Sequence, residues 1–194
     1  LWLNDNQIGG VIPVELFDLP NLEYLQLHNN ELGGVLPAEI GNLTNLQHLF
    51  LLNNQFAGAI PTEIGNLTNL KLLHLHSNQF RGAIPTSINS LSQLTDLTIY
   101  DNYFTDLPAL IGLDSLRSLW IQNNHFTFED IEPNLDIASE HNFYSPQRNV
   151  HDSLNVIIME GHSYSFDSSI GGSQNQYQWY KDGQPVADGT TEAL

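Results

Sequence analysis

The sequence predicts a solenoid of the α/β type, in which a parallel sheet covers one continuous core, followed by an incomplete all-β domain. Two observations carry this prediction. A pattern of apolar residues and asparagine recurs five times along the first two thirds of the chain, at steps of 24, 24, 24 and 22 residues. Beyond residue 149 the repeat is lost, and apolar residues alternate with polar ones as in strands that bury one face.

Each repeat is predicted to contain a short strand. Leu25 and Leu27 are separated by one residue, so their side chains point to the same side of an extended chain. One such strand cannot bury its apolar side alone, but stacked copies share a core. The equivalent residues of the five repeats are Leu22, Leu25, Leu27, Asn30 and Leu32; Leu46, Leu49, Leu51, Asn54 and Phe56; Leu70, Leu73, Leu75, Asn78 and Phe80; Leu94, Leu97, Ile99, Asn102 and Phe104; and Leu116, Leu119, Ile121, Asn124 and Phe126.

The residues after each strand indicate how the chain turns. An asparagine amide both donates and accepts, so the stacked Asn30, Asn54, Asn78 and Asn102 are expected to satisfy buried backbone groups as a ladder. The phenylalanines two positions later are expected to fill the core beneath the turn. Glycine permits the tight bend that follows, and proline starts a short helical or extended return segment. These pairs are Gly10 and Pro13, Gly34 and Pro37, Gly58 and Pro61, and Gly82 and Pro85.

The full repeat resembles the plant-type leucine-rich repeat over residues 1 to about 127. The matching segment is Asn30-x-Leu32-x-Gly34-x-Leu36-Pro37-x-x-Ile40-Gly41-x-Leu43-x-Asn45-Leu46. The resemblance implies a right-handed superhelix whose parallel sheet lines the concave side, as in receptor ectodomains, protease or glycanase inhibitors, and bacterial surface proteins. The repeat that begins at Leu94 is the fifth when the partial copy at residues 1–8 is counted. At Thr105-Asp106-Leu107-Pro108 it lacks the glycine and one residue, so its local curvature is expected to differ. Residues 1–8 form only the tail of a repeat, so we expect further repeats before residue 1.

A second module is expected after the repeats. Residues 128–148 are predicted to form a cap and linker, with one short helix stopped by Pro133 and an extended linker at 143–147. Residues 149–194 contain Gln178-Trp179-Tyr180-Lys181-Asp182-Gly183, which resembles the third strand of an immunoglobulin-like domain. About half of such a domain is missing, so Trp179, Tyr164 and Phe166 are expected to be unusually exposed. Together with the repeats, this cysteine-free module resembles those of bacterial secreted or surface proteins.

Composition excludes several classes of function. Five basic residues face 22 acidic ones, which gives a net charge of −17 and argues against a nucleic-acid partner. The absence of cysteine excludes disulfides, cysteine-ligated zinc and a thiol nucleophile. No apolar run reaches the roughly 20 residues that a membrane helix needs, so we expect no membrane insertion of this chain. No catalytic or phosphate-binding motif is present, and the sequence predicts neither enzymatic activity nor a cofactor.

The candidate ligand-binding surface is the concave face. Residues that flank the inward leucines point to this side, and many of them are aromatic, apolar or imidazole-bearing. An exposed sheet with so much apolar area usually has a partner. The predicted ligand-binding residues are Trp2, Tyr24, His28, His48, Phe50, Leu52, Leu72, His74, His76, Tyr100 and Trp120. Two alternatives remain open, namely that repeats tolerate scattered apolar residues or that this face packs on missing parts of the chain.

Three of the imidazoles on this face raise the question of a metal. His48, His74 and His76 lie on neighbouring strands and could recruit zinc. No carboxylate that would orient them is expected nearby. The sequence therefore favours a pH-sensitive surface patch over a metal site.

The favoured function is an extracellular or cell-surface module that binds a protein, peptide or glycan and carries out no catalysis. One alternative is a structural or adhesion spacer within a large surface protein. A second alternative is an accessory binding domain of a secreted multidomain enzyme.

Overall fold

A computed structural model describes residues 1–135, 137–144, 147, 180–181 and 184–185 of the chain. The strands are β1 Gly9–Val11, β2 Tyr24–Gln26, β3 Glu31–Val35, β4 His48–Phe50, β5 Gln55–Gly58, β6 Leu72–His74, β7 Gln79–Ala83, β8 Asp96–Thr98, β9 Tyr103–Asp106, β10 Ser118–Trp120, β11 His141–Phe143, β12 Tyr180–Lys181 and β13 Gln184–Pro185. Short 3₁₀ helices span Val14–Asp18, Ala38–Asn42, Thr62–Asn66, Thr86–Ser90 and Glu132–Asn134, and one α-helix, α1, spans Phe128–Ile131.

The repeats build two parallel sheets around one continuous core. The six-stranded sheet has the order β11-β10-β8-β6-β4-β2, and the five-stranded sheet has the order β1-β3-β5-β7-β9. Because the four repeats from Leu22 to Asp106 each contribute one strand to each sheet, equivalent residues of successive repeats stand side by side. This arrangement confirms the predicted repeat solenoid with a parallel sheet.

The fifth repeat is irregular, as its sequence indicates. The register between β7 and β9 shifts between Gly82 and Ala83. On β9 the shift lies opposite Asp106, in the segment that lacks the repeat glycine. The shorter repeat therefore changes the strand pairing of the five-stranded sheet.

The phenylalanines fill the core as predicted. Phe56, Phe80, Phe104 and Phe126 are buried, and successive rings stack with centroids 6.0, 6.0 and 6.4 Å apart. Burying a phenylalanine side chain contributes about 1.5–3 kcal/mol relative to leaving it exposed. The stack therefore ties four successive repeats together along the solenoid axis.

The asparagine ladder is also present. The Asn102 side chain donates from Nδ2 to the carbonyl oxygens of Leu75 and Ile99, both at 3.1 Å, while its Oδ1 accepts from the backbone N–H of Phe80 at 3.0 Å. Asn78 makes the same set of contacts one repeat earlier, to Leu51, Leu75 and the N–H of Phe56. Each buried amide thus satisfies backbone groups of two adjacent repeats.

Glycine and proline act as predicted where the chain leaves the five-stranded sheet. Gly34 has φ +79°, a conformation that L residues with a Cβ rarely adopt. Pro37 then immediately precedes the 3₁₀ helix Ala38–Asn42. Neighbouring return segments pack closely, because a Cβ added to Gly65 would lie 2.6 Å from the carbonyl oxygen of Ser87.

The cap differs in part from its prediction. Helix α1 ends at Ile131 and a 3₁₀ turn that includes Pro133 continues to Asn134, so the proline does not terminate the helical segment. Phe143, where the extended linker was expected to begin, is the last residue of β11, which pairs in parallel with β10 and closes the six-stranded sheet. Gln147 Oε1 accepts from the backbone N–H of Asn124 at 3.1 Å, so the cap reaches at least to this residue.

Little of the second module is described. Strands β12 and β13 form an antiparallel pair in which Tyr180 faces Pro185. The immunoglobulin-like resemblance and the expected exposure of Trp179, Tyr164 and Phe166 concern residues outside the described part. In that part of the chain, no helix has the length and apolar character of a bilayer-spanning segment.

Candidate functional site

The candidate site is the outward side of the six-stranded sheet, here called the aromatic face. Alternation along each strand buries one side chain and leaves its two neighbours outside. The inward positions Leu25, Leu49, Leu73, Leu97 and Leu119 are all fully buried. The outward neighbours therefore form columns that run across the strands.

Strand register aligns the outward residues of successive repeats in three columns, and the third contains Asn4, His28, Leu52, His76, Tyr100 and Gln122. The first column contains Tyr24, His48, Leu72, Asp96, Ser118 and His141. The second contains Trp2, Gln26, Phe50, His74, Thr98, Trp120 and Phe143. His141 and Phe143 come from β11 and were missed by sequence reasoning, because that strand lacks the repeat consensus.

Aromatic and imidazole rings form an unbroken series of contacts across all six strands, here called the aromatic track. The ring centroids are separated by 4.7 Å for Tyr24–His48, 5.8 Å for His48–Phe50, 4.7 Å for Phe50–His74, 6.1 Å for His74–His76, 4.3 Å for His76–Tyr100, 6.4 Å for Tyr100–Trp120 and 4.0 Å for Trp120–Phe143. These distances lie mostly within the range of favourable ring pairs. The track positions its members against one another before any ligand is present.

Three of these contacts are stacked face to face. The interplanar angle is 25° for Phe50 and His74, 16° for His76 and Tyr100, and 26° for Trp120 and Phe143. In each pair one ring face is covered by its neighbour. The second face of each ring, the ring edges and the polar ring atoms are consequently the groups that the track can offer to a ligand.

The remaining predicted residues lie beside the track, with one exception. His28 contacts Phe50 edge-on, with centroids 6.1 Å apart. Leu52 and Leu72 are half-buried on the neighbouring strands. Trp2 is 72% exposed and forms no ring contact with the described residues, so the structure does not bring it into the track.

A carboxylate lies within the site, contrary to the expectation from the sequence. Asp96 Oδ1 is 3.1 Å from His74 Nε2 and accepts a hydrogen bond from Thr98 Oγ1 at 2.7 Å. Burial by itself raises the pKa of Asp96, but hydrogen bonds from His74, Thr98 and Ser118 outweigh it and hold the pKa below its usual range. Residue 96 lies on the strand next to His74, so the repeat register was the signal that could have revealed this pair.

Two imidazoles of the track are held neutral. Burial is the main cause that lowers the pKa of His76 to about 4; His74 adds to the shift, and Asp101 and Asp96 oppose it. Burial, Lys71 and His74 lower the pKa of His48. At neutral pH both rings can donate one hydrogen bond and accept one.

The zinc alternative gains no geometric support. Among the described residues, no group of three or more histidine, aspartate or glutamate side chains is placed to hold a metal ion. His74 instead contacts Asp96, and His76 stacks on Tyr100.

A polar groove borders the aromatic face at the start of the strands. Lys71, Thr95, Asp114 and Arg117 line it, together with neutral polar side chains. Arg117 Nη1 lies 3.8 Å from Glu140 Oε1, in an exposed ion pair. The groove is open to solvent, so this edge suits an extended ligand better than an enclosed small molecule.

Comparison with known proteins places this geometry in context. A family model described as "Leucine-rich repeat region" matches residues 6–135. No curated protein matches the chain. Among solved structures, the ectodomain of the Arabidopsis thaliana receptor kinase GASSHO1/SCHENGEN3, in complex with CASPARIAN STRIP INTEGRITY FACTOR 2, is 38% identical, with a TM-score of 0.63 and 64% of this chain covered.

Two further structures have similar folds. The ectodomain of the Arabidopsis receptor kinase HAESA, in complex with an IDA peptide hormone, is 35% identical, with a TM-score of 0.63 and 65% of this chain covered. A leucine-rich-repeat protein of Leptospira interrogans is 33% identical, with a TM-score of 0.61 and 68% of this chain covered. The matches cover only 15%, 22% and 34% of the GASSHO1, HAESA and Leptospira chains, respectively.

Proposed function

Because this chain belongs to the leucine-rich-repeat family, we propose that it is a binding module whose aromatic face holds a peptide or an extended segment of a protein. The aromatic track is the observation that carries this proposal. It joins the rings from Tyr24 to Phe143 across six strands on a face without other cover in the described residues. Aromatic side chains clustered in this way supply most of the affinity in many interfaces.

Electrostatics also distinguish this face. In a chain of net charge −17, the three columns contain one carboxylate, Asp96, and no lysine or arginine. Depletion of charge with enrichment of aromatic residues is the composition typical of an interface core. The neutral imidazoles of His48 and His76 add hydrogen-bonding groups without adding charge at neutral pH.

Ring geometry favours a peptide over a glycan. Aromatic residues bind sugars by presenting an open ring face to the C–H side of the sugar. Phe50, His76 and Trp120 each have one face occupied by a neighbouring ring. Peptide groups, by contrast, can hydrogen-bond to imidazole and phenol edges. The similar HAESA structure contains a peptide hormone ligand, which supports the same choice.

We further propose that the module acts outside the cell or at its surface and has no catalytic role of its own. Its similarity to receptor ectodomains supports this location. The fold typically serves as a binding scaffold, which supports the absence of catalysis. Residues 149–194 would then be an immunoglobulin-like module next to the repeats. A surface spacer and an accessory domain of a secreted enzyme remain the competing interpretations.

A selection of displayed peptides against the 194-residue chain tests the proposal. Peptides that bind the wild type should fail to bind the double variant Phe50→Asp/His74→Asp, because two carboxylates would interrupt the track. The matched control is Val35→Asp/Gln79→Asp, which adds the same charges to exposed positions of the five-stranded sheet. Circular dichroism melts establish that both variants fold.

Three results would count against the proposal. If the two double variants bound the selected peptides equally well, the aromatic face would not be the contact surface. Selection of glycans, with no peptide or protein retained, would contradict the choice of ligand. The spacer interpretation predicts that no ligand is selected at all.

A further inference from the structure

We propose that the ligand carries a cationic group, a lysine or arginine side chain or an amino terminus, that binds to Asp96 between His74 and Trp120. This inference rests on the proposed function, since it names one chemical feature of the ligand that the aromatic face would hold. Charge complementarity on this face carries the argument.

Asp96 is the one carboxylate in the three columns of the aromatic face, and the columns contain no lysine or arginine. Its side chain is 27% exposed, so a ligand can reach it although it is mostly covered. Carboxylates that are partly withdrawn from water interact more strongly with a cation than fully exposed ones do. A ligand cation would therefore gain more at Asp96 than at the exposed acids elsewhere on the molecule.

The hydrogen bonds of Asp96 keep it ionised and leave it room to bind. His74 Nε2 and Thr98 Oγ1 both contact Oδ1, and Oδ2 receives neither of these bonds. Burial raises the pKa of Asp96, but these two contacts and a hydrogen bond from Ser118 outweigh it and hold the pKa below its usual range, so the group carries a full negative charge at neutral pH. A guanidinium or ammonium group can then bind to the second oxygen.

Aromatic rings flank the carboxylate on both sides. In the strand register Asp96 lies opposite Leu72 and Ser118, which places His74 and Trp120 diagonally to either side. Tryptophan is the most favourable aromatic partner for a cation. A carboxylate next to an indole ring recognises ammonium and guanidinium groups by a combined ionic and cation–π contact.

The cations at the border of the face do not cancel this preference. Lys71 Nζ donates to Gln47 Oε1 at 2.9 Å, and Arg117 pairs with Glu140. Asp114 lines the same groove, so its charge and that of Glu140 offset the two cations. At longer range, the net charge of −17 attracts cationic peptides and repels anionic ones.

Titration with two small probes tests the proposal. N-acetyl-arginine methylamide should bind with saturable shifts of the Trp120 indole N–H in NMR spectra. The citrulline analogue has nearly the same shape without the charge, and should bind about five- to ten-fold more weakly, the range between exposed and partly buried charge contacts. Asp96→Asn should weaken binding of the arginine probe by a similar factor.

Two further variants complete the experiment. Glu39→Gln removes an exposed acid on the 3₁₀ helix Ala38–Asn42, and should leave the affinity for the arginine probe unchanged. Trp120→Leu keeps the carboxylate but removes the indole, and should reduce the affinity for the arginine probe by less than Asp96→Asn does. Because this variant lacks the indole N–H, its binding is followed through the backbone amide of Ser118. Thermal melts check that each variant is folded.

Equal affinities for the arginine and citrulline probes would overturn the proposal. Equal losses of affinity for the arginine probe in Asp96→Asn and Glu39→Gln would overturn it as well, because binding would then depend on the net charge of the protein alone. Peptide selection on the aromatic face is measured separately, so a failure at Asp96 is distinguishable from a failure of the proposed function.

Discussion

Replacing Asn102 with alanine should destabilise the solenoid by far more than the loss of an exposed asparagine. Asn102 is fully buried, and its amide connects two successive repeats. The carbonyls of Leu75 and Ile99 each accept a second bond, from Asn78 and Asn124, respectively. The backbone N–H of Phe80 is different, because its acceptor in the ladder is Asn102 Oδ1.

The magnitude follows from that difference. A buried donor left without a partner costs about 1–3 kcal/mol, whereas each net hydrogen bond lost from a group that keeps another partner costs about 0.5–1.5 kcal/mol. The substitution orphans one donor and weakens two carbonyls, so we expect a loss of about 2–6 kcal/mol. This is a large fraction of the roughly 5–15 kcal/mol that holds a typical domain folded.

Urea unfolding followed by circular dichroism measures the loss, and hydrogen exchange at the amide of Phe80 localises it. The matched control is Asn42→Ala, at an exposed asparagine that forms no side-chain hydrogen bond with the described residues; it should change stability by less than about 0.5 kcal/mol. Similar stabilities for the two variants, with an unchanged exchange rate at Phe80, would refute the role assigned to the ladder.

Three other perturbations have expected outcomes. Because burial lowers the pKa of His76 to about 4 from an unfolded value near 6.5, protonation favours the unfolded chain below pH 6.5, and stability is lost as the pH falls from 6.5 toward 4; His76→Phe should flatten that part of the plot of unfolding free energy against pH, and an unchanged slope contradicts the assignment. Gly65→Ala should cost about 1–3 kcal/mol in urea unfolding through its close approach to Ser87, and more than Gly9→Ala, whose added Cβ would lie 3.7 Å from the nearest atom, the carbonyl oxygen of Glu31; the reverse order would argue against tight packing of the return segments. Phe80→Ala should cost about 3–5 kcal/mol by the same assay because it opens the ring stack, and a cost below about 1 kcal/mol would mean that the stack contributes little.

Most of the solenoid could be predicted because its determinants recur. The positions of Leu25, Asn30 and Gly34 are each repeated at a fixed step, and each repeat supports the same assignment. The stacking of repeats then determines the columns of the aromatic face. This is why the contact between Phe50 and His74 follows from the sequence alone.

The cap could not be predicted in the same way, because it replaces apolar repeat residues with polar ones. In β11 the inward position is Asn142, whose side chain bonds both the N–H and the carbonyl of Ala138. Gln147 accepts from the backbone of Asn124 near the end of the ladder. Neither residue matches the repeat pattern, so the strand that carries His141 and Phe143 gave no periodic signal.

The ion-paired carboxylate shows a second limit of pattern analysis. Within its own repeat Asp96 is an ordinary outward residue. Whether it forms an ion pair depends on which side chain lies diagonally on the next strand. Only the rotamers of His74 and Thr98 determine that both contact the same carboxylate oxygen. Side-chain geometry of this kind is not encoded in spacing.

Footprinting of a bound peptide tests the central claim most directly. The chain would be labelled with hydroxyl radicals in the presence and absence of a selected peptide, and the modified side chains would be identified by mass spectrometry. We predict protection of His74, Tyr100 and Trp120 on the aromatic face, with no change at Val35 on the five-stranded sheet. Protection at Val35 with unchanged labelling of the three aromatic-face residues would contradict the account.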